Sequence, residues 1–444
     1  MQQRDHVFGR TRRIGAPLGF AAALGFAVVL DGCGGGAITA QSSFGNTPNG
    51  VSNNSMPTAV IQAQMADTPV DPAIVAADNA FGLNLLNTLV PGANGNNVAI
   101  SPISVAVALQ IVYNGAAGTT QTAMAQTLQL SSLSTQTLNS DNAALQASLL
   151  NPDPKVQLNL ANSLWMHLAS NRVSFSFVQT DENYYGATIG DLSGAPDNVN
   201  AWVAGETHDL ITQIPPPEPP GYYQKIIAII ANAIYFKGQW TAPFDVSQTV
   251  AAPFTLSDGT QTSAETMHQT GFYPYLQGTW RGTQFQAVRL PYGAGRLSML
   301  MVLPDSGASL SSFVAGMTVD VLNSWTAQLQ TTSGSIALPR FTSTYGASLP
   351  PALTSLGMGI AFCTSKEADF SALAPLACIS DVEHKTVVEV DESGTVAAGA
   401  TTVTIGVEAV PEAQFAMTMD HPFFYAIQDD ETGELLFIGV LMNP

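Results

Sequence analysis

Residues 389–408 read Glu389-Val390-Asp391-Glu392-Ser393-Gly394-Thr395-Val396-Ala397-Ala398-Gly399-Ala400-Thr401-Thr402-Val403-Thr404-Ile405-Gly406-Val407-Glu408. After the acidic opening, the run from Ser393 to Val407 is uncharged and built from small and β-branched side chains. Val and Thr favour extended backbone, and Ala and Gly offer little bulk to obstruct close packing. Laid out as a strand, Thr395, Ala397, Gly399, Thr401, Val403 and Ile405 share one face, because side chains alternate. That face can enter a packed interior without burying a charge. Gly394, Gly399 and Gly406 nonetheless weaken a permanent strand, since glycine loses the most backbone freedom on ordering. A segment suited to a sheet yet reluctant to stay in one predicts a movable strand. An ordinary sheet strand or a small-residue surface loop is the plainer reading of the same composition.

Two neighbouring blocks favour the first reading. Asn232-Ala233-Ile234-Tyr235-Phe236-Lys237-Gly238-Gln239-Trp240 resembles the characteristic internal signature of the serpin family. His421-Pro422-Phe423-Phe424-Tyr425, followed by Gly433-Glu434-Leu435-Leu436-Phe437-Ile438-Gly439, resembles that family's C-terminal hairpin. Between them, Gly394-Thr395-Val396-Ala397-Ala398-Gly399-Ala400-Thr401 resembles the hinge of its reactive-centre loop. The resemblance runs from about Asp71 to Pro444, with the motifs in the family's order and spacing.

The resemblance implies an α+β serpin fold: N-terminal helices packed on a large mixed β-sheet, smaller sheets, and a mobile reactive-centre loop at about 392–413. It implies a suicide-type inhibitor of serine-class endopeptidases, with cysteine proteases as a second target class. The protease cuts the loop, the loop inserts into the main sheet as a new strand, and the acyl-enzyme is trapped. The inward hinge positions Thr395, Ala397, Gly399 and Thr401 are slim enough to follow one another into the sheet. Val396 stands where the family usually has Glu, and Ser393 replaces an acidic residue; by alternation Val396 faces outward, where charge is not needed. Counting from Gly394 places the reactive bond at Glu408-Ala409, with Val410-Pro411 and Glu412-Ala413 as alternatives. A cut after Glu408 implies a glutamate-selective protease; a cut beside Val407, Ala409 or Val410 implies an elastase- or subtilisin-like one. Ser101, Ser104, Asn232 and His384 would form the family's polar shutter under the central strands, and Trp240 would sit where insertion begins. Read without the resemblance, Ser101 is a helix cap and His384 a satisfied core histidine. The alternative function is a non-inhibitory serpin acting as a binding or structural surface protein.

The remaining composition sets bounds. A chain of 444 residues with 46% hydrophobic and 11% charged residues is folded and large enough for one or two domains. A net charge of −19 argues against nucleic acid and against electrostatic adhesion to anionic membranes. Arg4, Arg10, Arg12 and Arg13 precede an apolar stretch from Ile14 to Leu30 that ends Leu30-Asp31-Gly32-Cys33. This order predicts a secretory signal over 1–32. Leu-x-Gly-Cys resembles the lipoprotein box, with Cys33 as the lipidated residue, although Asp31 is unusual there. An uncleaved anchor helix and simple secretion are the other readings. Residues 33–70, rich in Gly, Ser, Asn, Gln and Pro and uncharged up to Asp67, read as a tether for a serpin domain over 71–444. The expected location is extracytoplasmic, secreted or as a cell-surface or periplasmic lipoprotein, with membrane contact only through that lipid and the domain a monomer. Cys363 and Cys378 are either two buried thiols or an export-compartment disulfide.

No cofactor or metal is expected, and no enzyme. The sequence has no Gly-x-Ser-x-Gly elbow, phosphate-binding Gly-Lys-Ser/Thr loop or His-Glu-x-x-His pair. His6, His167, His208, His268, His384 and His421 lack metal-ligand spacing. Periodicity predicts helices over Asp71–Leu89, from Ser101-Pro102 to Val112, Thr120–Leu128 and Asp141–Leu150, and a helix capped by Asp197. Strands are predicted at Val156–Trp165, Ile226–Phe236, Phe285–Leu290, Leu297–Leu303, Ile336–Phe341 and Thr386–Asp391. Phe423–Gln428 and Leu435–Val440 form a predicted hairpin. Ile226–Phe236 is apolar on both faces, as a central covered strand must be.

Overall fold

The computed structural model describes residues 22–32, 68–394 and 413–444, apart from 151, 170, 171, 215–217 and 220. The helices are α1 (Pro72–Leu89), α2 (Pro102–Tyr113), α3 (Gly118–Thr127), α4 (Thr135–Leu149), α5 (Phe175–Tyr185), α6 (Asp197–Glu206), α7 (Leu310–Val314), α8 (Val319–Gln328) and α9 (Pro350–Leu353). The strands are β1 (Ala22–Gly32), β2 (Val98–Ile100), β3 (Val156–Met166), β4 (Thr188–Asp191), β5 (Ile226–Gly238), β6 (Val250–Thr255), β7 (Gln261–Trp280) and β8 (Thr283–Tyr292). They continue as β9 (Leu297–Pro304), β10 (Gln330–Pro339), β11 (Phe341–Ser348), β12 (Ala377–Val390), β13 (Phe415–Thr418), β14 (Phe423–Asp429) and β15 (Leu435–Leu441).

Local chemistry explains the helix starts. Asp71 caps α1, its Oδ1 accepting from Ala73 N at 2.9 Å, and Ser101 caps α2 by accepting from Ser104 N at 3.4 Å, with Pro in each first turn. The helix expected from Asp141 begins earlier, at Thr135, because Ser134 accepts from Thr137 N. Asp197 lies inside α6 rather than capping it: Pro196 holds the N-cap position, and Asp197 supplies first-turn negative charge. The strand expected over Ile336–Phe341 is divided at Arg340, where β10 ends on Pro339 and β11 joins a different sheet. That division lets one cation face the start of the reactive-centre loop.

Two sheets carry the fold. The first has the order β11-β12-β1-β5-β3-β4; the second runs β13-β10-β7-β8-β9-β14-β15-β2, with β6 paired to β7. Their apolar faces and helices α1 and α2 share one buried cluster that includes Phe81, Leu109, Ile230, Phe236, Val388, Phe424 and Phe437. A smaller cluster on the other face of the first sheet joins Val199 and Val203 of α6 to Ile229, Ala231 and Tyr235 of β5. Every residue of β5 but Lys237 is buried, as its two-faced apolar sequence requires.

The largest departure from expectation is β1. The apolar stretch read as part of a leader supplies a central strand of the first sheet, antiparallel to β12 on one side and to β5 on the other. Val28 and Leu30 belong to the main core, whereas Ala27 and Val29 belong to the cluster on the helix α6 face. Gly25 is required by close packing, since a Cβ there would meet Ile214 and come within 3.1 Å of Val203.

Cys363 and Cys378 form a disulfide with a Cα–Cα separation of 5.0 Å, deciding between the two readings of that pair. Asp78 of α1 and Glu434, just before the last strand, are both fully buried. Burial pushes the Asp78 carboxyl up to about 8, against the opposing pull of Gln110 Nε2, which donates to its Oδ1 at 2.7 Å.

Candidate functional site: the loop anchors and the polar bed of the main sheet

The reactive-centre loop leaves β12 through a fixed turn. Asp391 Oδ1 accepts from Ser393 N at 2.9 Å, and Gly394 N donates to Asp391 O at 3.3 Å. Gly394 has φ +76°, and a Cβ on it would overlap Trp240 N and lie 2.6 Å from Gly238 O. Glycine is therefore demanded twice here, by the left-handed backbone and by the approach of β5. Trp240 completes the turn: its Nε1 donates to Asp391 O at 2.9 Å and its backbone N to Ser393 O at 3.2 Å. Its ring stacks on Tyr292, with centroids 4.4 Å apart, and meets Phe244 edge-on. The tryptophan expected where insertion begins thus holds the first turn of the loop.

Sequence reasoning missed a second fastener. Glu392 is 4% exposed. Both its carboxylate oxygens accept from Arg340 Nε at 2.8 Å, and Thr249 Oγ1 donates to Oε1. Burial alone would raise the Glu392 carboxyl, but the bonds from Arg340 and Thr249 overcome it and hold it below the usual carboxylate range. Arg340 is raised in turn, chiefly by the hydrogen bond to Glu392. The interrupted apolar run at Arg340 was the only trace of this pair in the sequence.

The distal end is held by the other sheet. Gln414 N donates to Ser333 O at 2.8 Å, β13 pairs in parallel with β10, and Phe415 stacks on Tyr275 at 3.8 Å between centroids. The hinge positions Thr395 to Thr401, including Val396, Ala398 and Ala400, the reactive bond Glu408-Ala409 and Cys33 lie outside the described residues.

The four shutter residues are all buried: Ser101, Ser104 and Asn232 are fully covered, and His384 is 1% exposed. Asn232 and His384 each anchor a group of bonds. Asn232 Nδ2 donates to Asn162 Oδ1 at 2.7 Å, and Asn162 Nδ2 donates to Gln146 Oε1 at 3.0 Å and Tyr185 O at 2.8 Å. On the other side, Thr386 Oγ1 donates to Ala99 O at 2.8 Å and so accepts from His384 Nε2 at 3.0 Å. Burial pushes the His384 imidazole down to about 3, despite the opposing effect of its hydrogen bond to the Ala99 backbone, so it is neutral at neutral pH. Asn232 and His384 are both register partners of Phe26, on opposite sides of β1. One intervening strand places their backbones about 10 Å apart, two strand spacings. Ser101 contributes the α2 cap, and Ser104 Oγ has no hydrogen-bond partner among the described residues.

Between β5 and β12 lies a strand-wide slot, occupied by β1, and the chain leaves β12 over a glycine-tryptophan turn. The family model for Serpin (serine protease inhibitor) matches residues 76–444, and the chain belongs to that family. The chain is 30% identical to human serpin B9 over 379 residues, covering 83% of this chain and 98% of that protein. It is likewise 30% identical to leukocyte elastase inhibitor A of Rattus norvegicus, covering 83% of this chain and 99% of the relative. Among solved structures, the thermophilic serpin tengpin in its native state matches with a TM-score of 0.72 at 25% identity, over 85% of this chain and 96% of that one. The expected α+β serpin fold is thus found, and the protein is a protease inhibitor by family rather than an enzyme.

Proposed function

We propose that this serpin inhibits serine-class endopeptidases by the suicide route. The protease attacks the loop at Glu408-Ala409 and forms an acyl-enzyme. The hinge Thr395, Ala397, Gly399, Thr401 then enters between β5 and β12, and the attached protease is carried from its point of attack. The observation that carries this reading is the slot itself, a strand-wide site bordering the strand from which the loop departs and already able to seat an antiparallel segment. The inward hinge positions bring only small side chains to it. The protein acts outside the cytoplasm as a monomer, with Cys33 as the lipid-bearing residue after removal of 1–32.

The test uses the exported, processed protein mixed with a glutamate-selective endopeptidase, pancreatic elastase and subtilisin. A covalent complex that survives boiling in detergent is expected, with the new terminus mapped by mass spectrometry near Glu408. Clean cleavage without a complex overturns the proposal. It would favour a second reading supported by the occupied slot: a non-inhibitory serpin whose sheet is already complete and which serves as a binding protein.

A further inference from the structure

The slot is filled by the chain's own N-terminus. Along its 11 residues β1 pairs with β12 from Ala22↔Val388 to Gly32↔Ala377, and on its other edge with β5 from Ala22↔Phe236 to Asp31↔Ile226. A strand edge accepts one neighbour, so β12 cannot pair with β1 and with an inserted loop at once. The two candidates also run the same way, because β1 is antiparallel to β12 and a loop folding back from Gly394 must be antiparallel to it too. They are alternatives for one site.

Side-chain chemistry favours β1 whenever it is attached. Val28 and Leu30 are fully buried on the core face, and Ala27 and Val29 are buried on the other. The hinge instead brings Thr395, Ala397, Gly399 and Thr401, which remove less apolar surface from water. Ser380 Oγ adds a bond to Val29 O at 3.1 Å, at the point where the β1 register shifts. Asp31, the one charge within the strand, lies near the end and is only half buried.

We propose that Ala22–Gly32 is a self-docking strand that holds this slot against the reactive-centre loop, so that a chain retaining its N-terminus is silent and a chain cleaved before Cys33 is armed. The inference rests on the inhibitor reading above and adds its regulation. Inhibition is thereby coupled to export, since the event that removes the leader vacates the site the loop needs. An unprocessed chain cannot capture proteases inside the cell that makes it.

The test compares the unprocessed 444-residue chain, its Val28→Asp variant and the exported protein, each mixed with the same three proteases. Val28→Asp places a carboxylate in a fully buried site and expels the strand. Wild-type unprocessed chain is expected to be cut without forming the detergent-stable complex, and the variant to form it at least about tenfold faster. Amide exchange on the wild-type chain gives a readout independent of how the variant folds. Residues 22–32 should exchange about a hundredfold or more slowly than a free peptide, being bonded on both edges. Exchange at the free-peptide rate, or complex formation by the unprocessed chain as fast as by the exported protein, overturns the inference while leaving the inhibitor reading intact. Failure of the exported protein to form a complex sinks the inhibitor reading instead, and exchange then still decides whether β1 is seated.

Discussion

Replacing Gly394 by Ala should loosen the start of the loop by an amount that can be worked from its neighbours. The residue sits at φ +76°, where a non-glycine residue costs about 1–2 kcal/mol. The new Cβ also overlaps Trp240 N and Gly238 O, which are backbone atoms and cannot swing aside. The turn must move, and the bonds from Trp240 to Asp391 O and Ser393 O are lost at about 1 kcal/mol each. Reduced freedom of the unfolded chain offsets roughly 0.4–1 kcal/mol. The net expectation is about 3 kcal/mol. Gly259 supplies the control, with φ +84° and open space around it, so Gly259→Ala should cost only the backbone term of about 1 kcal/mol. Urea unfolding of both variants, followed by Trp fluorescence, gives the comparison. Equal losses in the two would refute the claim that packing against Trp240, rather than backbone handedness alone, fixes this turn.

Further outcomes follow from the buried titratable groups. Arg340→Ala leaves the Glu392 carboxylate buried with Thr249 alone and should cost about 2–4 kcal/mol in urea unfolding, whereas Glu392→Gln, which leaves no stranded charge, should cost less. Because the folded carboxyl is depressed, the contribution of this pair is present above the ordinary glutamate range and is lost as pH falls through the folded value, so Glu392→Gln should lose less stability on acidification than wild type. His384 stays neutral when folded but takes a proton when unfolded, so between about pH 6.5 and 3 it should erode stability by roughly 1.4 kcal/mol per unit as pH falls. His384→Gln should flatten that slope in urea midpoints taken from neutral pH downward and leave the slope above pH 6.5 unchanged. Asp78 behaves oppositely: its folded carboxyl keeps its proton up to about pH 8, so stability falls as pH rises from about 4 to 8, and Asp78→Asn should remove that decline.

Much of the fold could be read from local pattern. The two-faced apolar run at Ile226–Phe236, the Ser101-Pro102 cap and the C-terminal hairpin each carry their instruction within a few residues. What local pattern leaves open depends on partners far along the chain. An uncharged run such as Ala22–Leu30 is equally compatible with a membrane segment, a leader or a covered strand; what selects the strand is the pair of edges offered by β5 and β12, some 200 and 350 residues away. Likewise nothing near Glu392 in the sequence announces Arg340 and Thr249 as its partners. The shutter residues were correctly expected to be buried, but their grouping depends on which strand lies between Asn232 and His384.

The two fastenings of the loop have a mechanical consequence. Gly394 is pinned at the end of β12, while Gln414 and Phe415 are tied to β10 and Tyr275 in the other sheet. Hydrolysis between them would leave one fragment hinged at the glycine and the other tethered to a different body. A fragment folding down the full 14 residues of β12 would travel about 45 Å. On the proposed route a single broken peptide bond would be converted into a displacement on the scale of the whole molecule, with the direction of travel set by which end was left able to pivot.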